Sequence, residues 1–288
     1  MRLVTFRHDG ATRAGVEGRG GIFDLSAAWA DTMGTAPRTA GDVLSRLDPA
    51  RSVFERRGHE SALWRNDRVS LTAPLRPGKI IAIGRNYRGH AAEENVPIPE
   101  APIIFTKFTT AVIGPGEAIR RPAFVRELDY EAELAVVIGR LTRRVRAEDA
   151  LNFVGGYMCL NDVSARDIQH TDGQWDRGKS LDTFAPIGPA IVTAEEVPDP
   201  GSLPIRCRVN GEVLQDSNTR ELIFSIPELI AYCSRMFTLE PGDVISTGTP
   251  AGVGFTRKPP RFLQPGDQVE VEVEGVGRLV NSVIAEDG

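Results

Sequence analysis

Cysteine is scarce in this sequence, and what there is does not form a recognisable site. The 288 residues include three cysteines, Cys159, Cys207 and Cys233. They are far apart and form no pair with metal-ligand spacing, so they predict neither a zinc site nor a disulfide framework. An odd, sparse count fits a reducing cytoplasm, where we expect the protein to reside. We expect all three to be small buried apolar residues.

Long apolar runs and an excess of positive charge are missing as well. No stretch approaches the roughly 18 consecutive apolar residues that a membrane-spanning helix needs, and residues 1–15 lack the apolar core of a signal peptide. The chain carries 34 basic and 39 acidic side chains, a net charge of −5. Because nucleic acids and membrane surfaces attract basic proteins, we expect neither as a partner.

What is present is typical of a globular protein with a real core, at 41% hydrophobic and 25% charged residues. Residues 1–72 predict a small N-terminal domain with hairpin strands, followed by a helical or irregular stretch. Residues 73–288 predict the main domain, and Pro77-Gly78 is a turn signal near the boundary.

The main domain reads as strands with a few helices. A capping box at Ser225 and Glu228 predicts the start of a helix. The other predicted elements are strands at 79–84, 127–139, 156–163 and 268–273 and a helix at 146–153. Because βαβ alternation and a G-x-G-x-x-G motif are both missing, a dinucleotide-binding fold is disfavoured. The predicted fold class is α+β, mostly β.

An acidic, alternating segment is the most informative local pattern. In a strand, residues two apart share a face, so the segment Glu127-Leu128-Asp129-Tyr130-Glu131-Ala132-Glu133 places four acids on one side. Residues 135–138 are apolar on both faces and predict a central strand. Carboxylates beside a buried strand need a cation or protons, and a hard cation prefers oxygen ligands. A solvated acidic face is the alternative interpretation.

A further acid, Asp162, stands where an apolar strand gives way to a polar turn. Strand ends are common places for functional sites, so Asp162 could complete a three-carboxylate set with Glu131 and Glu133. The alternative is that Asp162 caps the turn that follows.

Five segments together resemble the fumarylacetoacetate hydrolase family, in particular its bacterial members with a small N-terminal domain. They occur in the family's order between about residues 79 and 283, at 84–93 (GRNYRGHAAE), 129–134 (DYEAEL), 161–169 (NDVSARDIQ), 179–189 (KSLDTFAPIGP) and 246–254 (STGTPAGVG). The resemblance implies a mixed β-sandwich roll with a small N-terminal α+β domain, a homodimer, and Mg²⁺ or Mn²⁺, with Ca²⁺ as a substitute. The implied metal ligands are Glu131, Glu133 and Asp162.

Other polar residues of these segments have candidate roles. His90 and Glu93 are three apart in a segment with helical propensity, where a carboxylate can orient an imidazole. In hydrolase members of the family, a His–Glu pair at these positions is assigned the role of general base that activates a water. Lys179 could offset enolate charge. The candidate substrate-binding residues are Arg166, Gln169, Thr249 and Lys107. For each residue an ordinary surface or turn position is the competing interpretation.

The resemblance implies chemistry on 2-oxo or 2,4-dioxo acids. The presence of both His90 and Glu93 favours hydrolysis of a C–C bond in acylpyruvates. The alternatives on the same site are oxaloacetate decarboxylation and a 2-hydroxymuconate-type keto–enol isomerisation, because fold does not determine reaction. A metal-dependent nuclease is disfavoured because the sequence lacks the basic residues that would indicate a nucleic-acid-binding groove. A non-catalytic Ca²⁺-stabilised β-sandwich would leave His90, Glu93 and Lys179 without a use.

Overall fold

The structure is a computed structural model that describes residues 1–18, 20–29, 35–57 and 69–286, together with the backbone of 63–64. Strands dominate these residues. The strands of the first part of the chain are β1 (Arg2–His8), β2 (Ala11–Gly18), β3 (Gly21–Asp24), β4 (Leu63–Trp64) and β5 (Ser70–Thr72). Those of the middle are β6 (Ile80–Gly84), β7 (Ile103–Lys107), β8 (Val112–Ile113), β9 (Ile119–Arg121), β10 (Leu128–Asp129), β11 (Ala132–Ile138), β12 (Val154–Asn161) and β13 (Ser164–Ala165). The last are β14 (Ala185–Thr193), β15 (Pro204–Val209), β16 (Glu212–Asn218), β17 (Val244–Ser246), β18 (Gln268–Val273) and β19 (Gly277–Ala285).

Helices are fewer and mostly short. They are α1 (Leu25–Trp29), α2 (Ala40–Val43), α3 (Leu47–Arg57), α4 (Arg88–Glu93), α5 (Arg166–Thr171), α6 (Asp176–Lys179) and α7 (Ile226–Met236). The capping box predicted for α7 is present, since the Glu228 side chain accepts a hydrogen bond from the Ser225 backbone N–H at 2.7 Å. The predicted helix at 146–153 is a 3₁₀ helix, Ala147–Phe153. No helix among the described residues is long and apolar enough to cross a membrane.

Two large sheets organise the described residues, which confirms the predicted α+β, mostly β class. One sheet has the order β4-β3-β2-β1-β14-β12-β11-β17-β6-β7, with β5 on β1 and β8 on β14. The other has the order β16-β15-β18-β19-β9. Side chains of the two sheets meet in the main hydrophobic core, where Leu134 and Val136 of β11 join Cys207 of β15 and Val271 of β18.

The N-terminal strands continue the main sheet. β1 pairs antiparallel with β14 through Leu3 and Ile191. A second core cluster joins Leu3 to Val137 of the central strand and Met158 of β12. The sheet therefore runs through the predicted division at residue 72, and the two-domain organisation stays a prediction. The predicted irregular stretch that follows the first hairpin falls partly outside the described residues.

The central strand is β11, as its apolar residues predict. It is buried throughout and lies between β12 and β17. The prediction of one strand over 127–139 is wrong, however, because Tyr130 and Glu131 separate β10 from β11. The Asp129 side chain accepts hydrogen bonds from the N–H groups of Tyr130 and Gly254, which turns the chain there. As a result β10 pairs with β13 outside the main sheet.

The three cysteines are buried and free, as expected from their scarcity. Burial raises the pKa of the Cys159 thiol to about 12, so this thiol stays protonated at neutral pH. Cys207 and Cys159 belong to the main core and behave as small apolar residues.

Candidate active site

Three carboxylates converge where β11 and β12 lie side by side. Glu131 comes just before β11, Glu133 lies in it, and Asp162 follows β12; the Asp162 N–H donates to the Glu131 carbonyl at 2.9 Å. One oxygen of each carboxylate lies within 4.8 Å of the others, and all three residues are buried. We call these residues the acid cluster. Since α5 begins at Arg166 after Ala165, Asp162 is not the cap of a helix.

Glu133 has the least favourable electrostatic environment in the acid cluster. Its Oε2 accepts hydrogen bonds from Ser246 Oγ at 2.5 Å and from the Gly248 N–H at 2.9 Å. Burial, together with the negative charges of Asp162 and Glu131, nevertheless raises the pKa of Glu133 to about 8. The negative charge around Glu133 is therefore not fully offset by the neighbouring positive groups. Three buried carboxylate oxygens at this spacing fit a divalent cation.

Gly248 is required at its position for steric reasons. Its φ of +101° is in the left-handed region, and a Cβ there would lie 2.8 Å from Asn86 Cβ. Because Gly248 has no side chain, the loop after β17 can bring the Gly248 N–H to Glu133.

Two buried cations, Lys179 and Arg166, face the acid cluster. Lys179 Nζ lies 2.8 Å from Glu131 Oε2 and 2.8 Å from Asp162 Oδ2. Burial would lower the pKa of Lys179, but the charges of Asp162 and Glu131 outweigh burial and raise it. Lys179 therefore stays charged beside the acids.

Arg166 links the acid cluster to Asp129. Its Nε donates to Asp129 Oδ2 at 2.8 Å, and its Nη2 lies 2.7 Å from Glu131 Oε1, near enough for an ion pair but not aligned for a hydrogen bond. Gln169 Oε1 accepts from Arg166 Nη1 at 2.9 Å, so α5 puts the two on one side as the spacing predicts. Both line the pocket described below.

Lys107 lies behind the acid cluster rather than in the pocket wall. Its Nζ donates to Asp162 Oδ1 at 2.5 Å, to the Val163 carbonyl at 3.2 Å and to the carbonyl of Lys179. Burial lowers the pKa of Lys107 and outweighs the opposing charge of Asp162. Lys107 is not among the described residues that line the pocket, so the structure gives no support to the predicted contact with substrate.

Thr249 is in the pocket wall, but its hydroxyl has partners already. Its Oγ1 donates to the Ala132 carbonyl at 3.0 Å and accepts from Gln215 Nε2 at 2.8 Å. The hydroxyl thereby ties the loop after β17 to the first residue of β11.

His90 lies between two carboxylates on the opposite wall. Its Nδ1 is 2.7 Å from Glu93 Oε1, which is the predicted pair on α4, and its Nε2 is 3.1 Å from Glu94 Oε1. Burial would lower the pKa of His90, but the hydrogen bonds to Glu93 and Glu94 outweigh burial and raise it to about 9. The imidazole is therefore doubly protonated at neutral pH.

Sequence reasoning missed Glu94 and Arg85. Glu94 follows His90 by four residues, and that spacing, which puts residues on one face of a helix, could have revealed it. Arg85 Nε donates to Glu94 Oε2 at 2.8 Å. His90 and Arg85 outweigh the effect of burial and hold the pKa of Glu94 at about 2. We call Arg85, His90, Glu93 and Glu94 the histidine cluster.

Glu93 is anchored from the far side. Its Oε2 accepts from the Gly252 N–H at 2.8 Å and from Thr256 Oγ1 at 3.0 Å. The loop after β17 therefore orients Glu93, and Glu93 orients the His90 ring.

The acid cluster and the histidine cluster enclose one pocket. The cavity has a volume of about 50 Å³. Its apolar and aromatic wall consists of Ile83, Phe105, His170 and Trp175. Charged and polar groups facing each other across a small cavity suit proton transfer on a small anion.

Comparisons with known proteins agree on the fold and differ in reaction. A family model described as fumarylacetoacetate (FAA) hydrolase C-terminal matches residues 79–284. The chain is 44% identical over 292 residues to "oxaloacetate tautomerase FAHD2A, mitochondrial" of Bos taurus, covering 99% of this chain and 92% of that protein. A 5-carboxymethyl-2-hydroxymuconate delta-isomerase from Mycobacterium smegmatis is 37% identical, with a TM-score of 0.79 and 100% of both chains covered. Maleylpyruvate hydrolase from Sphingobium sp. SYK-6, in complex with manganese(II) and pyruvate, is 33% identical, with a TM-score of 0.84 and 100% of both chains covered.

Proposed function

Because this chain belongs to the fumarylacetoacetate hydrolase family, we propose that it is an enzyme that interconverts the keto and enol forms of oxaloacetate or a closely related 2-oxo dicarboxylic acid, with a divalent cation. The observation that carries the proposal is the 44% identity to an oxaloacetate tautomerase over nearly the whole of both chains.

The residues of the acid cluster are suited to hold Mg²⁺ or Mn²⁺. The raised pKa of Glu133 reports negative charge that a cation would offset. When bound there, the cation would act as a Lewis acid toward the carboxylate and carbonyl oxygens of a 2-oxo acid. The manganese(II) and pyruvate in the maleylpyruvate hydrolase structure support this choice of metal and ligand class.

The state of His90 favours tautomerisation over hydrolysis. A general base for water needs a neutral ring with a free nitrogen, whereas His90 Nδ1 bonds to Glu93, Nε2 lies 3.1 Å from Glu94, and the pKa of His90 in the cation-free protein is raised to about 9. A ring that is already protonated gives up a proton before it accepts one.

The proposed mechanism moves a proton between His90 and C3 of the substrate. In the enol-to-keto direction the enol O–H loses its proton to solvent, the proton on His90 Nε2 goes to C3 of the resulting enolate, the C2–O bond becomes a carbonyl, and His90, left neutral, regains a proton from solvent. In the reverse direction His90 first loses a proton to solvent, Nε2 takes the proton from C3, and solvent protonates the enolate oxygen. Lys179 keeps positive charge next to the oxygen that carries negative charge in the enolate, and Glu93 holds the ring in place.

Hydrolysis of a C–C bond in an acylpyruvate is the second candidate. The similarity to a maleylpyruvate hydrolase and the presence of the His90–Glu93 pair favour it. Like tautomerisation, it would require that Glu94 leave His90 Nε2, and in addition that a water take the place of Glu94 and that His90 be neutral. Oxaloacetate decarboxylation is compatible with the same site but has no separate observation in its favour.

The decisive experiment compares three reactions on one preparation. The protein is assayed with Mn²⁺ for the loss of enol-oxaloacetate absorbance, for pyruvate formation from oxaloacetate, and for cleavage of acetylpyruvate and maleylpyruvate. We expect tautomerisation to be the fastest reaction and to stop with a chelator. Cleavage of an acylpyruvate at a higher kcat/KM would overturn the proposal in favour of the hydrolase.

We also propose the homodimer that the family resemblance implies, to be tested by light scattering of the purified protein. A cytoplasmic location stays a prediction, and the relative from Bos taurus is named as mitochondrial.

A further inference from the structure

The Glu94 carboxylate bridges two cationic groups in the pocket wall. One of its oxygens lies 3.1 Å from His90 Nε2 and the other accepts from Arg85 Nε at 2.8 Å. The side chains of His90 and Glu94 are 5% and 13% exposed, while that of Arg85 is 32% exposed. A carboxylate thus occupies a partly buried place between a guanidinium and an imidazolium at the edge of the proposed reaction site.

Arg85 differs from the other cations around the pocket. Lys179 and Arg166 have partners in the acid cluster, and each is 2% exposed. Among the described residues Arg85 has one carboxylate partner, Glu94, and its guanidinium lies over the Trp175 ring at 5.5 Å. Among the described pocket residues, Arg85 is therefore the guanidinium that can reach a ligand without leaving the acid cluster unpaired.

The position of Arg85 is held by its neighbours. Its φ of +55° is in the left-handed region, so the backbone turns sharply after β6. Trp175 packs directly on Gly84, where a Cβ would lie 2.3 Å from the indole ring, and meets Phe105 edge to face at 5.5 Å. The ring on which the guanidinium lies is thus fixed, which limits how far Arg85 can move.

We propose that Arg85 recognises the second carboxylate of a dicarboxylic substrate, and that Glu94 occupies that carboxylate's place until the substrate enters. This inference rests on the proposed function for the class of ligand. The substrate carboxylate takes over the charge-assisted hydrogen bond of Glu94 to Arg85, and His90 Nε2 is released from Glu94 in the same exchange.

The exchange would bring the reacting atom to His90. In a four-carbon 2-oxo dicarboxylic acid the second carboxylate is bonded to C3, the atom that gains or loses the proton. A carboxylate in the place of Glu94 therefore leaves C3 next to the released Nε2. A monocarboxylic acid lacks the group that displaces Glu94, so it would bind without releasing His90.

Two stable ligands that differ in one carboxylate test the proposal without turnover. (S)-malate and (S)-lactate share the 2-hydroxy acid group, and neither is a keto or enol substrate. Their affinities for the Mn²⁺-loaded protein are measured by calorimetry. We expect the wild type to prefer malate by roughly tenfold, and Arg85→Gln to reduce that preference to about twofold or less with lactate binding unchanged.

Two further variants make the result specific. Glu94→Gln removes the competing charge and should tighten malate binding roughly threefold without changing lactate binding. Arg88→Gln removes the same charge from an exposed position three residues after Arg85 and should change neither affinity. If Arg85→Gln lost affinity for malate and for lactate equally, or kept the wild-type preference for malate, the proposal would be overturned. Since binding alone is measured, a protein without tautomerase activity could still retain the malate preference and lose it with Arg85.

Discussion

The two clusters that face each other across the pocket contain the same kind of side chain in opposite electrostatic states. Burial would raise the pKa of both Glu133 and Glu94. In the acid cluster the neighbouring acids add to that effect, and the pKa of Glu133 rises to about 8. In the histidine cluster His90 and Arg85 reverse it, and the pKa of Glu94 falls to about 2. Burial acts in the same direction on both carboxylates, so the sign of the neighbouring charges is what separates their pKa values.

Because of this difference, the two clusters are suited to different tasks in the site. A group of carboxylates with insufficient positive charge is suited to hold a cation, whereas a compensated His–Glu–Arg group is suited to hold and release a proton. Four experiments test this difference between the two clusters.

The largest effect is expected from the acid cluster. Glu131→Gln removes one proposed cation ligand and leaves Lys179 and Arg166 without their shared partner, so kcat/KM should fall by about a thousandfold or more. Mn²⁺ affinity, measured by calorimetry, should fall with it. Glu127→Gln changes a nearby acid outside the cluster and should leave both quantities near wild type. Undiminished Mn²⁺ affinity in Glu131→Gln would refute the assignment of this ligand.

The histidine cluster should make stability depend on pH. The folded-state pKa of His90 is about 9, above the value of about 6.5 for an unfolded histidine, so its contribution is complete below pH 6.5 and is lost as the pH rises through 9. For the cation-free protein the loss is on the order of 3 kcal/mol. Urea unfolding between pH 6 and pH 10 should therefore show a steeper decline for the wild type than for His90→Gln. Parallel curves would contradict the account of the cluster. The lowered pKa of Glu94 reflects the same interactions and so gives no separate contribution to stability.

Removing the imidazole should separate the two clusters functionally. His90→Gln takes away the proposed proton donor, and tautomerisation should slow about a hundredfold in kcat. Mn²⁺ affinity should stay within about threefold of wild type, since His90 is not in the acid cluster. A matched loss of both would mean that His90 serves the cation site.

The smallest effect is expected from a neutral partner of the acid cluster. Ser246→Ala removes the hydroxyl that donates to Glu133 Oε2, and with it about 1 kcal/mol of support for the ionised carboxylate. Mn²⁺ affinity should fall about fivefold, with a larger loss at lower pH. Ser202→Ala, at an exposed loop position, is the matched control and should bind Mn²⁺ as the wild type does. A Ser246→Ala variant with wild-type affinity would show that the Gly248 N–H alone suffices.

Patterns between near neighbours were readable from the sequence. The apolar run 135–138 predicted a central strand, Ser225 and Glu228 predicted the start of α7, and the three-residue spacing predicted contact between His90 and Glu93. These predictions succeeded because each depends on the period of one helix or strand. The prediction of a single strand over 127–139 was wrong because the chain turns at Asp129. The Asp129 side chain accepts a hydrogen bond there from the N–H of Gly254, in a loop more than a hundred residues later.

The amino-acid sequence is enough to identify the residues that could do chemistry, namely the three acids, the His90–Glu93 pair and Lys179, and its motifs are enough to identify the family. The charges that surround each of these residues follow from the folded arrangement. Lys179 and Lys107 approach Asp162 from distant elements, and Arg85 reaches Glu94 from the turn after β6. Electrostatic free energy depends on distances in space, which spacing along a chain does not specify beyond one helical turn or one strand. For that reason the pKa values, and with them the proposal that His90 begins as a proton donor, depend on the fold.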